Sequence, residues 1–319
     1  MRGKRGIVFT MAAMLLLGLM VTIAIPTASI NRQKSQFIVG NRLQSMNTFI
    51  QNIKRDASIA IYTSGFRGII GLIEEITDTG EYIDDVDVAV KELMLNGTLN
   101  GSVMFIMTNN TLYNWSTKMQ QQAKTIGIDL NITIEDVNVY QEDPWHVMIE
   151  GEFRCFMNDR KGLASWNFTF KTIAEIPIEG LNDPIYIVET GNQMNRDIFR
   201  SAHIDNFTDG VDTTNLQEHI IRGWYTEFED APNFVMRLEG DLTSDENGIE
   251  SLVDKINLSM FMAVDFDKTS VDYIYFSAND PVAYNFDFMP AMFALDNISN
   301  STPSNFTHIA RYNLSHLVS

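Results

Sequence analysis

The chain has 319 residues, with 23 Lys and Arg against 41 Asp and Glu, a formal charge of −18. That balance disfavours nucleic acid and anionic membrane surfaces as partners of its polar part. Its single cysteine, Cys155, excludes an intrachain disulfide, so the fold must rest on an ordinary apolar core.

The charge is unevenly placed. Arg2, Lys4 and Arg5 precede an uncharged stretch from residue 6 to residue 31. Ile7 to Ile30 is about 36 Å of helix, enough to cross a hydrocarbon core of roughly 30 Å. Residues 7–30 are therefore read as a transmembrane helix, and the remainder of the chain as a body hung from it. Three basic residues stand just after the span (Arg32, Lys34 and Arg42), so positive-inside counting does not orient it. Asn-X-Ser/Thr acceptors do. They stand at Asn96, Asn100, Asn109, Asn114, Asn131, Asn167, Asn206, Asn257, Asn297, Asn300, Asn305 and Asn313, all after the span. That is roughly threefold more than chance placement gives, and it predicts an N-glycosylated, extracellular head.

The apolar segment has three readings: a cleaved secretory signal, a plain signal anchor, or a pilin-type leader. Its length and the poor fit of Pro26-Thr27-Ala28-Ser29 to a signal-peptidase site weigh against the first. The order of a basic leader (1–6), Gly6 and an immediate apolar helix resembles archaeal type IV pilins and their relatives, which carry class III signal peptides. The resemblance covers about the first 60 residues. It implies a cut between Gly6 and Ile7, and Pro26 lies where such helices often kink. Bacterial pilins carry an acidic residue early in the mature helix; Met11 and its neighbours offer none. The length suits a minor or tip pilin, or a pilin-like anchored protein, better than a main filament subunit.

Residues 31–76 read as an amphipathic stem helix. Phe37, Leu43, Met46, Phe49 or Ile50, Ile53, Ala57 and Ile61 form its apolar stripe. Gly65, Gly68 and Gly71 are expected to loosen it, with a break near 77–81. Arg32, Lys34, Arg42, Lys54 and Arg55 form a basic collar, which either meets lipid headgroups or is a solvated helix face.

Residues 77–180 read as an α+β head. Asp84-Asp85 cap a helix that stops at Asn96-Gly97, and a second helix runs from about 110 to 126. The period then changes to two through Ile128–Ile134, Val147–Phe153 and Trp166–Phe170, with a hairpin turn at 158–162: an antiparallel meander. Cys155 alternates with Phe153 and Met157, which predicts a buried, inert thiol. Beyond a soft boundary near 180, residues 181–319 form a less regular mixed α/β region. A helix is expected over 215–224, strands over 234–240 and 271–276, a helix near 249–262, and a decorated loop from Asn297 before a last strand.

No HExxH, GxSxG, Walker loop or paired-cysteine motif occurs. His146, His203, His219, His308 and His316 are scattered and read as satisfied or solvated. Asp241, Thr243, Asp245, Asn247 and Glu250 form a weak calcium candidate. With Gly248 as the turn glycine, the leading ligand would be Thr243 where a carboxylate is needed; a polar turn between strand 234–240 and the following helix is the better account of the cluster. Asp84, Asp85, Asp87, Asp265 and Asp267 read as capping or solvated carboxylates. Trp145, His146, Trp224 and Tyr225 read as core in preference to a ligand surface.

The expected protein is thus non-enzymatic and without cofactor: a single-pass, N-glycosylated surface protein, structural or adhesive. Its partners are the membrane and, through the N-terminal helix, copies of itself or true pilins. The alternative is a non-polymerising receptor or adhesin that binds an extracellular partner or glycan. An anchored hydrolase rests on nothing but abundant carboxylates.

Overall fold

The computed structural model describes residues 3–204, 206–290, 292–297 and 307–318; of residues 3–8, 23–36 and 38 only the backbone is described. The chain is α+β. It opens with one helix, α1 (Gly3–Thr79), of 77 residues. The predicted span lies in its first third. Its fully described part, 9–22, is about 21 Å of helix, less than a hydrocarbon core. Among the described residues no helix is long and apolar enough to cross a membrane.

The far part of α1 is the spine of the head. Met46, Ile50, Ile53, Ala57 and Ile61 are buried, and Ile69, Leu72, Ile73 and Ile76 continue the stripe. Phe37 and Leu43 remain exposed, so the head takes hold of the helix at about Met46. The expected loosening at Gly65–Gly71 is absent: the helix runs on to Thr79 and stops at Gly80, φ +72°. The glycines allow close approach instead. A Cβ on Gly65 would lie 2.5 Å from Ile149 Cδ1, and one on Gly151 would lie 2.2 Å from Ile61 Cδ1.

Next comes α2 (Val86–Asn96), with the Asp85 carboxylate accepting from Val88 N–H and Gly97 in the left-handed region. A two-stranded hairpin, β1 (Thr98–Leu99) and β2 (Ser102–Val103), leads through a 3-10 turn to α3 (Leu112–Thr125). The predicted meander is β3 (Ile128–Asp143), β4 (His146–Asp159) and β5 (Ser165–Pro177), antiparallel in that order. Its inner face carries Leu130, Ile132, Phe153, Cys155, Met157 and Ile176 into a core shared with α1, α2 and α3.

Beyond 180 the elements are short: α4 (Pro184–Glu189), α5 (Thr214–Arg222), β6 (Tyr225–Glu227), α6 (Phe234–Glu239), β7 (Ile249–Ser251), α7 (Lys255–Leu258), α8 (Asp272–Tyr275), β8 (Ala283–Asn285), β9 (Ala294–Asp296) and α9 (His308–Arg311). A second core gathers Leu216, Ile220, Leu252, Leu295, Tyr312 and Leu314. Tyr225, Phe234, Leu238 and Ile249 belong to the first core, so packing crosses the soft boundary.

Four expectations fail here. Residues 234–240 are helical, because Asn233 caps Met236 N–H, Gly240 (φ +71°) ends the turn, and Phe234 and Leu238 are buried at i, i+4. In 271–276, Tyr273, Ile274 and Tyr275 are all buried; a turn covered on every side has no period to distinguish it from a strand. The expected helix at 249–262 begins as strand β7 and becomes helical only at Lys255, where Asp254 caps it. The last described element is the helix α9, and among the described residues after it a single isolated Phe286–Val318 bridge stands where the last strand was expected.

Gly248 meets backbone, not side-chain tips: a Cβ there would lie 2.0 Å from the Ala231 carbonyl oxygen. Gly248→Ala should cost at least about 1–3 kcal/mol in urea denaturation. Gly40→Ala, on an open helix face, should be neutral or stabilise by roughly 0.5–1 kcal/mol.

Candidate functional site

The free end of α1 is the first candidate surface. Phe9 is 80% exposed and Met14 76%, and Met11, Leu15, Leu16, Leu17, Leu19 and Met20 are exposed around every side of the helix. Burying each such side chain is worth roughly 1.5–3 kcal/mol. The candidate processing residues Gly6 and Ile7 lie in α1 with side chains outside the described set, as do Arg32 and Lys34. Two of the others, Arg42 and Lys54, turn toward the head. Arg42 donates to the Asp159 carboxylate at 2.8 Å and to the Gly127 carbonyl at 3.0 Å. Burial would raise the Asp159 pKa, but Arg42 and the N–H groups of Leu163 and Lys161 hold it below its usual value. Lys54 Nζ stands 5.6 Å from the centre of the Phe168 ring. Arg55 is exposed.

The acceptor asparagines are the second. Asn96, Asn100, Asn109, Asn131, Asn167, Asn206, Asn297 and Asn313 are exposed, and Asn114 and Asn257 are half-buried. Asn300 and Asn305 lie outside the described residues. The hydroxyls differ more. Thr111 is buried and caps α3 by accepting from Asn114 N–H, and Ser116 is buried. Thr208 donates to the Asn313 carbonyl and Thr98 to Glu92.

The calcium candidates do not converge. Asp241 accepts from Thr243 N–H, and Asp245 from Asn247 N–H, the local bonds of a polar turn. Glu250 points the other way, into the core. Among the described residues no three His, Cys, Asp or Glu side chains are placed to hold a metal ion. Asp85 caps α2 and Asp87 pairs with Lys91 at 3.0 Å. Cys155 is buried, and burial pushes its thiol up to about 11. Trp145 and Tyr225 are buried; Trp224 is half-buried against His203. His146 bonds Asp143, and His316 meets the Gly210 carbonyl.

Sequence reasoning missed a polar centre inside the second half. Arg237 is fully buried. It donates to Asp183 at 2.6 Å, to Asp272 at 3.0 Å and to the Ile249 carbonyl. Tyr225 O–H also donates to Asp183, and Ser251 to Asp272. Four short elements are thereby pinned to one guanidinium: the cap of α4, α6, β7 and α8. A second buried group lies beyond it. His308 Nδ1 is 2.8 Å from Asp296, and its Nε2 is 3.3 Å from Glu250 and 3.1 Å from Tyr273 O–H. Tyr312 O–H donates to Glu250. Burial alone would lower the His308 pKa; Glu250 and Asp296 overcome it and raise it to about 10. His219, buried beside Ser201 and deprived of water, is instead lowered to about 3. Only the isolated charges in an apolar context, such as Arg237 between Met236 and Leu238, signalled this in the sequence.

A cavity of about 170 Å³ is lined by Ile220, Ile221, Val253, Ile256, Pro290 and Phe293, together with Gln217, Asp254 and Lys255. Sites for drug-sized ligands run from about 300 Å³ upward. Comparison with family models, with characterised proteins and with solved structures finds no match to this chain.

The buried centre sets two expected outcomes. Arg237→Met leaves two carboxylates without their cation and should destabilise the head by about 3–5 kcal/mol in denaturant unfolding. The histidines give a pH dependence of opposite sign. His308 stabilises fully below its unfolded pKa of about 6.5 and loses this as pH rises toward 10. His219 penalises folding as pH falls from about 6.5 toward 3. The melting temperature should therefore peak near neutrality, and His308→Asn should flatten the alkaline limb.

Proposed function

We propose that this is a pilin-like cell-surface protein: an extracellular, N-glycosylated α+β head on a helical stem whose first third sits in a membrane and can enter a filament. The observation that carries the reading is the continuity of α1. One helix is both the spine of the head and an apolar rod that leaves it. A helix apolar on every side is not stable in water; it needs lipid or the packed stems of neighbours. The leader order that resembles archaeal type IV pilins supports the same reading, as does the absence of buried acceptor asparagines among the ten described.

A specific feature supports a second reading, a non-polymerising adhesin. At the small cavity Ile221 is 72% exposed and Ile256 is exposed too; Met260 (71%) and Phe261, just after α7, are also exposed. A protein partner could cover them.

Mass spectrometry of the native protein separates these. The pilin-like reading expects a chain beginning at Ile7, loss of that cut in Gly6→Leu, and recovery of the protein in sheared surface filaments. An intact leader with no filament fraction would leave the anchored adhesin.

A further inference from the structure

The outer face of the meander holds two acceptors in a special relation. Asn131 on β3 pairs with Phe156 on β4, and Phe156 pairs with Asn167 on β5. Two residues further along, Thr133 pairs with Arg154, and Arg154 with Thr169. The two triplets Asn131-Ile132-Thr133 and Asn167-Phe168-Thr169 thus run in the same direction and in the same register, one on each side of Phe156. Strands lie about 4.8 Å apart, so the two asparagines stand roughly 10 Å apart.

Residues i and i+2 of a strand share a face. Each acceptor therefore presents its amide and its hydroxyl together, and all four residues are exposed. Phe156 between them is 50% exposed. The inner positions, Ile132 and Phe168, turn toward the core.

At three other acceptors the backbone explains the asparagine. Asn100, Asn109 and Asn313 have φ of 50°, 62° and 55°, the left-handed region that asparagine tolerates better than most residues. Mid-strand positions make no such demand, and asparagine is disfavoured there. An exposed Phe between two mid-strand asparagines is poor surface design for bare protein. It is good design beneath sugar, because the apolar C–H faces of a pyranose pack on an aromatic ring.

We propose that Asn131 and Asn167 are paired N-glycosylation sites whose first sugars flank and cover Phe156, so that this sheet face is a glycan platform and not a protein interface. The proposal rests on the outward-facing reading above. In the covalent step the Asn amide nitrogen displaces the lipid pyrophosphate from the sugar anomeric carbon. An N-glycosidic bond forms, the phosphate leaves with the electron pair, and the amide proton goes to a base. The activated glycan comes from a membrane transferase with a lipid-linked oligosaccharide.

Tandem mass spectrometry of glycopeptides from the native full chain tests it. Both sites should be occupied, and Thr133→Val and Thr169→Val should each remove one glycan mass. Phe156→Ala should lower the melting temperature of the glycosylated protein by about 2–4 °C. The same variant made without glycan should change by less than about 1 °C. Glycan on other acceptors with Asn131 and Asn167 bare would overturn the proposal and leave the outward-facing reading standing. A chain without glycan anywhere would remove both. Equal losses from Phe156→Ala with and without sugar would overturn the role given to the ring.

Discussion

Where α1 crosses the sheet, Ile61 lies on Gly151, and Ile149 and Ile176 lie on Gly65. A bare backbone on each partner meets a branched side chain on the other, so helix and sheet approach more closely than two ordinary residues would permit. That contact fixes which face of α1 is inside. It runs from Met46 to Ile76 as a single stripe. α2 and α3 complete the covering of the same core, and Arg42 closes its stem-side end onto Asp159. The helix supplies one wall of the head's core and cannot leave it without exposing that stripe. A pull on the stem would therefore be transmitted into the sheet.

The legible parts of the sequence are those this contact organises. The stripe and the alternating strands are long, and each has a period that one buried face imposes. α2, α3, the meander and its turn at Asn158–Gly162 could accordingly be read in advance. Gly65 could not, because glycine in a helix signals both looseness and close approach, and only the partner Ile149 decides between them. The second half hid more. Segments such as Phe234–Glu239 and Asp272–Tyr275 have six and four residues and neighbours on all sides. The single i, i+4 pair Phe234 and Leu238 is too short a run to mark a period, Asp272–Tyr275 is buried throughout, and the cap made by Asn233 settles what hydropathy leaves open in the first. The candidate site shows the same split. Exposed acceptors could be read from triplets, whereas the register that sets Asn131 beside Phe156 and Asn167 exists only once three strands pair.

The two halves meet the problem of holding together without disulfides differently. The first uses area: long elements on one apolar core. The second has short elements that cannot bury enough surface singly, and it ties them through Arg237, Asp183 and Asp272. Buried ion pairs add little net stability against an apolar alternative, but they penalise wrong arrangements heavily, because a misplaced element strands a charge. α6, α8 and the α4 cap converge on one guanidinium, so displacing any of them leaves a buried charge without its partner. His308 between Asp296 and Glu250 does the same for the C-terminal turn.

This division bears on where partners can dock. After Ser29 the chain carries 20 basic residues, the 23 of the whole less Arg2, Lys4 and Arg5, and all 41 acidic ones. Like-charged heads repel one another beyond the contact of their stems, and salt shortens that repulsion to a Debye length of about 8 Å. Glycans on the outer sheet face would extend the same exclusion by bulk where charge is screened. The inner face is closed by α1. Under the pilin-like reading proposed above, the free end of α1, apolar around its described residues, is the surface through which copies would associate, and the head's charge would oppose closer contact elsewhere.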